Sequence, residues 1–248
     1  MWRTALAYIF VTSTICGQTA PDDRDVSWKT LVPNILEDQK DIWTFPARLV
    51  HGNDFLPTIA FAGVSAGVIL LADPPEAHYF RNASTFNGFN RVFSSNATAI
   101  GTALVPASFL LVGIARKNEK AKKTALFSGE AVADAEILAT VLKQATNRAR
   151  PLDIPPNSGF GDSWSEGHKR IVSNAGSFPS GHAIAAFSVA TIVARQYPHH
   201  RWLPYVAYGG AALVGFSRMT LSAHFASDVL AGAVFGYAIS RFSVLHQY

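Results

Sequence analysis

Cysteine is almost missing from these 248 residues: one, Cys16, stands inside an N-terminal apolar run. The rest of the chain can therefore form neither an internal disulfide nor a cysteine metal site. Charge is scarce too, at 15% of residues. The balance is +4 with a pI near 9.3, yet the basic residues make no long stripe, which argues against a nucleic-acid binder. An anionic substrate or an acidic lipid surface is the counterpart such a chain suits. Internal repeats and low-complexity tracts are absent, so nothing marks a solenoid or a disordered chain. Long hydrophobic runs are also few: most apolar stretches fall short of the roughly 20 residues that span a bilayer. What is there is 49% hydrophobic residues, enough for one domain with a substantial core.

Residues 1–20 carry one early positive charge at Arg3, an apolar run over 5–15, and small or polar residues after it. This pattern predicts a signal peptide cleaved near residues 17–20, with an uncleaved anchor helix as the alternative. Residues 21–55 mix charge, proline and scattered aromatics with no regular period, and are expected to form an N-terminal surface segment without chemistry. Apolar stretches follow at 59–72, 99–115, 125–142, 183–194, 205–216 and 229–243, rich in alanine with spaced leucine and isoleucine. They predict an all-α helical bundle over residues 56–245.

Two patterns bear on a membrane. Residues 59–71 and 99–114 are nearly charge-free, and Arg116, Lys117, Lys120, Lys122 and Lys123 follow the second as at a membrane edge. Against this, Glu130, Asp134 and Glu136 would be costly facing lipid, and the mean hydropathy is only +0.16. A membrane-embedded bundle is the favoured reading and a soluble exported bundle the alternative.

Three segments carry chemistry. In the first, Lys143 and Arg150-Pro151 are separated by six residues; on a helix ended by Pro151 they would share one face, and the guanidinium fork could hold two oxygens of one anion. A basic C-terminal turn that merely complements the helix dipole would look the same. In the second, Pro179-Ser180-Gly181-His182 directly precedes an apolar helix, offering backbone N–H groups, a hydroxyl and an imidazole where anions bind readily. Gly181 would let backbone approach an anion without a side chain between them. The plain alternative is an N-cap serine. In the third, Ser217-Arg218 is followed after five residues by His224 and after three more by Asp228. If helical, Asp228 would sit one turn from His224 and could orient its ring.

Together, over residues 125–242, these segments resemble the tripartite signature of the type 2 phosphatidic acid phosphatase superfamily. That superfamily also includes bacterial class A acid phosphatases and vanadium haloperoxidases. Lysine, six residues, Arg-Pro; Pro-Ser-Gly-His; and Ser-Arg, five residues, His, three residues, Asp are all filled in order. The resemblance implies that His224 attacks phosphorus and forms a phosphohistidine, that Asp228 orients it, and that His182 is the general acid. Lys143, Arg150, Arg218, Ser180 and the Gly181 amide would hold the phosphate oxygens, with no metal and no cofactor required. Asn147 and Arg148 fall between signature positions and read as rim; His168, in the long loop before the second segment, borders the entrance. The implied substrate is a phosphomonoester or diphosphate, of a lipid for a membrane enzyme, with the active site on the outer side of the cytoplasmic membrane. No nucleic acid and no obligate protein partner are expected. A soluble periplasmic acid phosphatase is the alternative. The short chain disfavours a vanadium haloperoxidase, and the intact His182, His224 and Asp228 disfavour a non-catalytic membrane scaffold.

Overall fold

The computed structural model describes residues 26–49, 55–155, 159–160, 163–166 and 176–245. The segment expected to be a signal peptide and His168 lie outside them. In chain order the helices are α1 (Leu31–Leu49), α2 (Phe55–Leu71), α3 (Asp73–Asn82), α4 (Asn87–Val92), α5 (Ser95–Ala115) and α6 (Glu119–Thr146). There follow α7 (Ser163–Glu166), α8 (Gly181–Gln196), α9 (Leu203–Thr220) and α10 (Ala226–Ala238), which continues into a π-helical turn at Ile239–Val244. No strand occurs among the described residues, as the alanine-rich pattern predicts.

The departure is α1, a regular helix where the pattern showed no period. Its inward face mixes polar and apolar residues: Asn34 and Asp38 are buried, and Ile42 packs on the main core. Gln39 Nε2 donates to the Asp134 carboxylate at 2.9 Å and to its carbonyl at 3.2 Å. Pro33 falls in the first turn, where no intrahelical N–H is needed, so it does not break the helix.

Helix α8 is the hub, packed by α6, α9 and α10. Ile184 and Ile192 join Leu126, Phe127, Ala131 and Leu138 of α6 in the main core. Helix α10 approaches α8 most closely through Gly232 and Gly236, one turn apart on one face. A methyl group on Gly236 would lie 2.4 Å from the Ile184 carbonyl oxygen, and one on Gly232 would lie 2.8 Å from that of Ser180. Asp228 is one turn further along the same face, and its carbonyl accepts the Ser180 N–H at 3.0 Å. The α8–α10 spacing thus fixes Ser180 against Asp228.

An aromatic cluster docks the N-terminal helices on this bundle: Phe80 of α3 and Phe89 of α4 contact Phe216 of α9 with ring centroids 5.8 and 5.6 Å away. Glu130 and Asp134 are fully buried inside the protein, so the cost expected of these carboxylates facing lipid does not arise. Helix α5 is long and apolar enough to cross a membrane, and α2 with α3, bent by 49° at their junction, passes the same test as a pair. Ile100, Leu104, Leu111 and Ile114 of α5 are exposed. At the far end of α5, Phe109 stacks on Tyr197, and Lys120 Nζ lies 4.8 Å from the same ring. Arg116, Lys117, Lys120, Lys122, Lys123, Arg195 and Arg201 therefore gather at one end of the bundle.

Candidate active site

The third segment is not one continuous helix. Helix α9 ends at Thr220, Ser222 takes a left-handed conformation (φ 49°), and His224 lies in the turn before α10. Asp228 is the third residue of α10 and its Oδ2 accepts the Phe225 N–H at 2.9 Å, capping the helix. His224 Nδ1 is 3.8 Å from Asp228 Oδ2 but 2.7 Å from the Ser177 carbonyl. That carbonyl can only accept, so Nδ1 carries the proton and Nε2 is the free nitrogen. The ring is thus oriented first by a backbone carbonyl. Asp228 acts through Ser177, whose hydroxyl donates to Asp228 Oδ2 at 2.5 Å. Burial, with Arg150 and Lys143 nearby, holds the His224 imidazole below its ordinary range, although Asp228 pulls the other way.

The first segment also differs from expectation. Helix α6 stops at Thr146, and Asn147 turns the chain away in a left-handed conformation (φ 45°, ψ 34°). Arg150 follows in extended backbone before Pro151, so it does not share a helix face with Lys143. The two still meet one site: both bring charge to bear on His224. Ser180 occupies the N-cap position of α8 but makes no capping bond. Its buried hydroxyl and the buried Arg150 Nε have no partner among the described residues. Unpaired polar atoms at a helix N-terminus are what an anion would satisfy, which the plain N-cap explanation does not provide. Gly181 completes the cradle: a methyl there would lie 3.0 Å from Lys143 Nζ.

His182 and Arg218 converge on the start of α5. His182 Nε2 donates to the Ser95 carbonyl at 3.0 Å. Arg218 donates to Ser95 Oγ at 2.9 Å and to the Phe93 carbonyl at 2.8 Å. His182 feels the charges of Arg218, His224 and Lys143, and burial is the largest cause holding it below the ordinary imidazole range. All eight residues singled out in the sequence therefore gather around the ends of α6, α8 and α9 and the start of α10.

Arg148 is not rim. It is 1% exposed, pairs with Asp228 Oδ1 at 2.6 Å and with Asp73 Oδ2 at 2.7 Å, and lies between the rings of Phe225 and Trp164 at 4.1 and 4.5 Å. Sequence reasoning missed both Arg148 and Asp73. An arginine beside a phosphate-type signature reads as one more surface cation, and nothing in the order of residues links position 73 to position 228. A cavity of about 430 Å³ leads away from Lys143, Gly181 and His182 between α5, α6 and α8. Small and apolar side chains line most of it, among them Ala99, Ala103, Val132, Ala185 and Val189, with Glu136 among the few charged ones.

Residues 124–248 match the PAP2 superfamily. Over 114 residues the chain is 34% identical to a lipid A 1-phosphatase of Rhizobium johnstonii, covering 46% of this chain and 41% of that protein. It is 39% identical over 68 residues to a lipid A 1-phosphatase of Porphyromonas gingivalis, covering 27% of this chain and 15% of that one. The chain thus spans less than half the length of these curated relatives. Among solved structures, the transmembrane PAP2 type phosphatidylglycerolphosphate phosphatase from Bacillus subtilis is similar with a TM-score of 0.42 and 22% identity, over 87% of this chain and 92% of that one. Since half of the chain, including all eight signature residues though not Asp73 or Ser95, falls within the matching region, the chain belongs to the PAP2 superfamily.

Proposed function

We propose that this protein is a membrane phosphatase that removes phosphate from a lipid phosphomonoester or diphosphate through a phosphohistidine on His224, without a metal. The observation that carries the reading is the buried His224, its proton held on Nδ1, together with the Ser180 hydroxyl at the α8 N-terminus and Arg150 Nε, which have no partner among the described residues. His224 Nε2 attacks phosphorus in line and the ester or anhydride oxygen departs. Lys143, Arg150, Arg218, Ser180 and the Gly181 amide take the equatorial oxygens and offset their charge. His182 protonates the departing oxygen, then takes a proton from the water that hydrolyses the phosphohistidine. Its Nε2–H is held by Ser95, so the proton it transfers sits on Nδ1.

A lipid leaving group is supported by the largely apolar cavity and by the exposed apolar α5. Lipid A 1-phosphatases among the relatives agree with it. The orientation follows from charge. Ser95, at the start of α5, touches the site, whereas the basic cluster lies past Ala115, a helix length of about 30 Å away. Positive residues favour the cytoplasmic side, which supports a site on the outer side.

The test is phosphate release by the detergent-solubilised protein from lipid A, phosphatidate, an isoprenyl diphosphate and an aryl phosphate. His224→Ala should be inert, and His182→Ala slowed by about 10²–10⁴-fold. Preference for the aryl phosphate would turn the reading to a non-specific acid phosphatase, and retained turnover in His224→Ala would end the phosphohistidine route.

A further inference from the structure

We infer that Asp73 and Arg148 form a charge clamp that sets the orientation and basicity of the His224–Asp228 pair, an inference that rests on the phosphatase reading above. Asp73 lies outside the region that matches the superfamily, and Arg148 lies between its signature positions. Arg148 shares its guanidinium between two carboxylates, Nη1 with Asp228 and Nη2 with Asp73, while its Nε donates to Ser163 Oγ at 3.1 Å. Asp73, Arg148 and Asp228 are at most 2% exposed, so water screens none of these contacts. The rings of Trp164 and Phe225 confine the guanidinium plane. Asp73 also grips α10 itself: its Oδ1 accepts the Ser227 N–H at 2.9 Å and its Oδ2 the Ser227 hydroxyl. The residue adjoining Asp228 is therefore pinned to α3.

Neither clamp residue contacts a phosphate-binding group, so both are positioning residues. Their effects on His224 are opposite in sign. Asp73 draws Arg148 away from Asp228 and leaves that carboxylate more of its charge with which to stabilise an imidazolium. Arg148 neutralises the same carboxylate. Neutralising Asp73 should therefore lower the His224 pKa, and neutralising Arg148 should raise it. Damage to packing has no reason to move the two in opposite directions. Among the described residues, the other charged groups near His224 are Lys143 and Arg150 from the end of α6 and beyond, and His182 on α8. Glu76 on α3 stands near Asp73, Asp228 and Arg148 and could take up a lost charge, so every variant is made with Glu76→Gln.

The experiment follows the His224 ring by NMR across pH in histidine-labelled protein in detergent, beside phosphate release from the best lipid substrate. Asp73→Asn should lower the His224 pKa and Arg148→Met should raise it, each by roughly 0.5 or more. Both should lose turnover by about 10–100-fold with KM changed far less. Unchanged values, or shifts in the same direction, overturn the clamp. If Arg148→Met does not fold, the double variant Asp73→Asn/Arg148→Met leaves one buried carboxylate instead of two, and its His224 pKa must lie above that of Asp73→Asn alone. Wild-type protein that titrates as described but releases no phosphate overturns the phosphatase reading while the clamp stands.

Discussion

Replacing Gly236 by alanine tests whether helix packing and catalysis are one problem in this bundle. Its added methyl would meet the Ile184 carbonyl at 2.4 Å and the Ser188 nitrogen at 3.0 Å, both backbone atoms that no rotamer change can move aside. An ordinary carbon–oxygen contact needs about 3.3 Å or more, so α10 must back away from α8 by about 1 Å. Overpacking of this kind costs about 1–3 kcal/mol. The same displacement acts on the Ser180–Asp228 link, two turns along the same face, and a 1 Å misplacement can cost about 10²-fold in rate. Thermal unfolding in detergent and phosphate release per folded molecule are the two readouts. Gly209→Ala is the control: nothing among the described residues lies within 4 Å of its added carbon, and alanine in a helix should be neutral or stabilising by up to about 1 kcal/mol. If Gly236→Ala melts with wild-type protein and turns over at the wild-type rate, the α8–α10 spacing does not set the site, and the reasoning fails.

Other outcomes follow from the same geometry. Gly181→Ala should fold normally but set a methyl 3.0 Å from Lys143 Nζ and displace the amine, slowing turnover by roughly 10-fold or more; an unchanged kcat/KM would show that Lys143 does not need that position. The pH profile of kcat/KM should have its optimum below the ordinary histidine value of 6.5. Rate rises as pH climbs through the lowered pKa of His224, which must be neutral to attack, and falls as pH climbs through the lowered pKa of His182, which must be protonated to donate. An optimum well above 7 contradicts that assignment. Vanadate should inhibit competitively, whereas EDTA should leave turnover intact because cationic side chains supply the charge stabilisation; strong loss with EDTA counts against the proposed chemistry.

The bundle was largely legible because its helices use apolar and small residues at helical spacing, and the stretches at 99–115 and 183–194 became α5 and α8. The signature residues were legible as types in order, but their geometry was not. Lys143 and Arg150 looked like neighbours on one helix, until a left-handed Asn147 ended that helix early. His224 and Asp228 looked like a helical pair, until a left-handed Ser222 placed His224 in the turn before the helix. Single residues at positive φ redirect a chain while leaving no periodic trace. Helix α1 escaped for another reason: its inner face mixes buried Asn34 and Asp38 with Ile42, and polar residues on an inner face blur a period sought in apolar residues alone. The close approach at Gly232 and Gly236 was not read either, because an apolar-run reading gives no weight to small residues four apart. Asp73 offered no such signal, because its partners lie 75 and more positions away in sequence.

Ser95 lies well before the region shared with the superfamily, yet its carbonyl holds His182 and its hydroxyl holds Arg218. Similarity in sequence therefore draws a border at residue 124 that the folded molecule does not respect. Anyone grafting the second half of this chain onto another N-terminal half would carry over every signature residue and still leave two of them without their anchor. The portable unit is larger than the recognisable one.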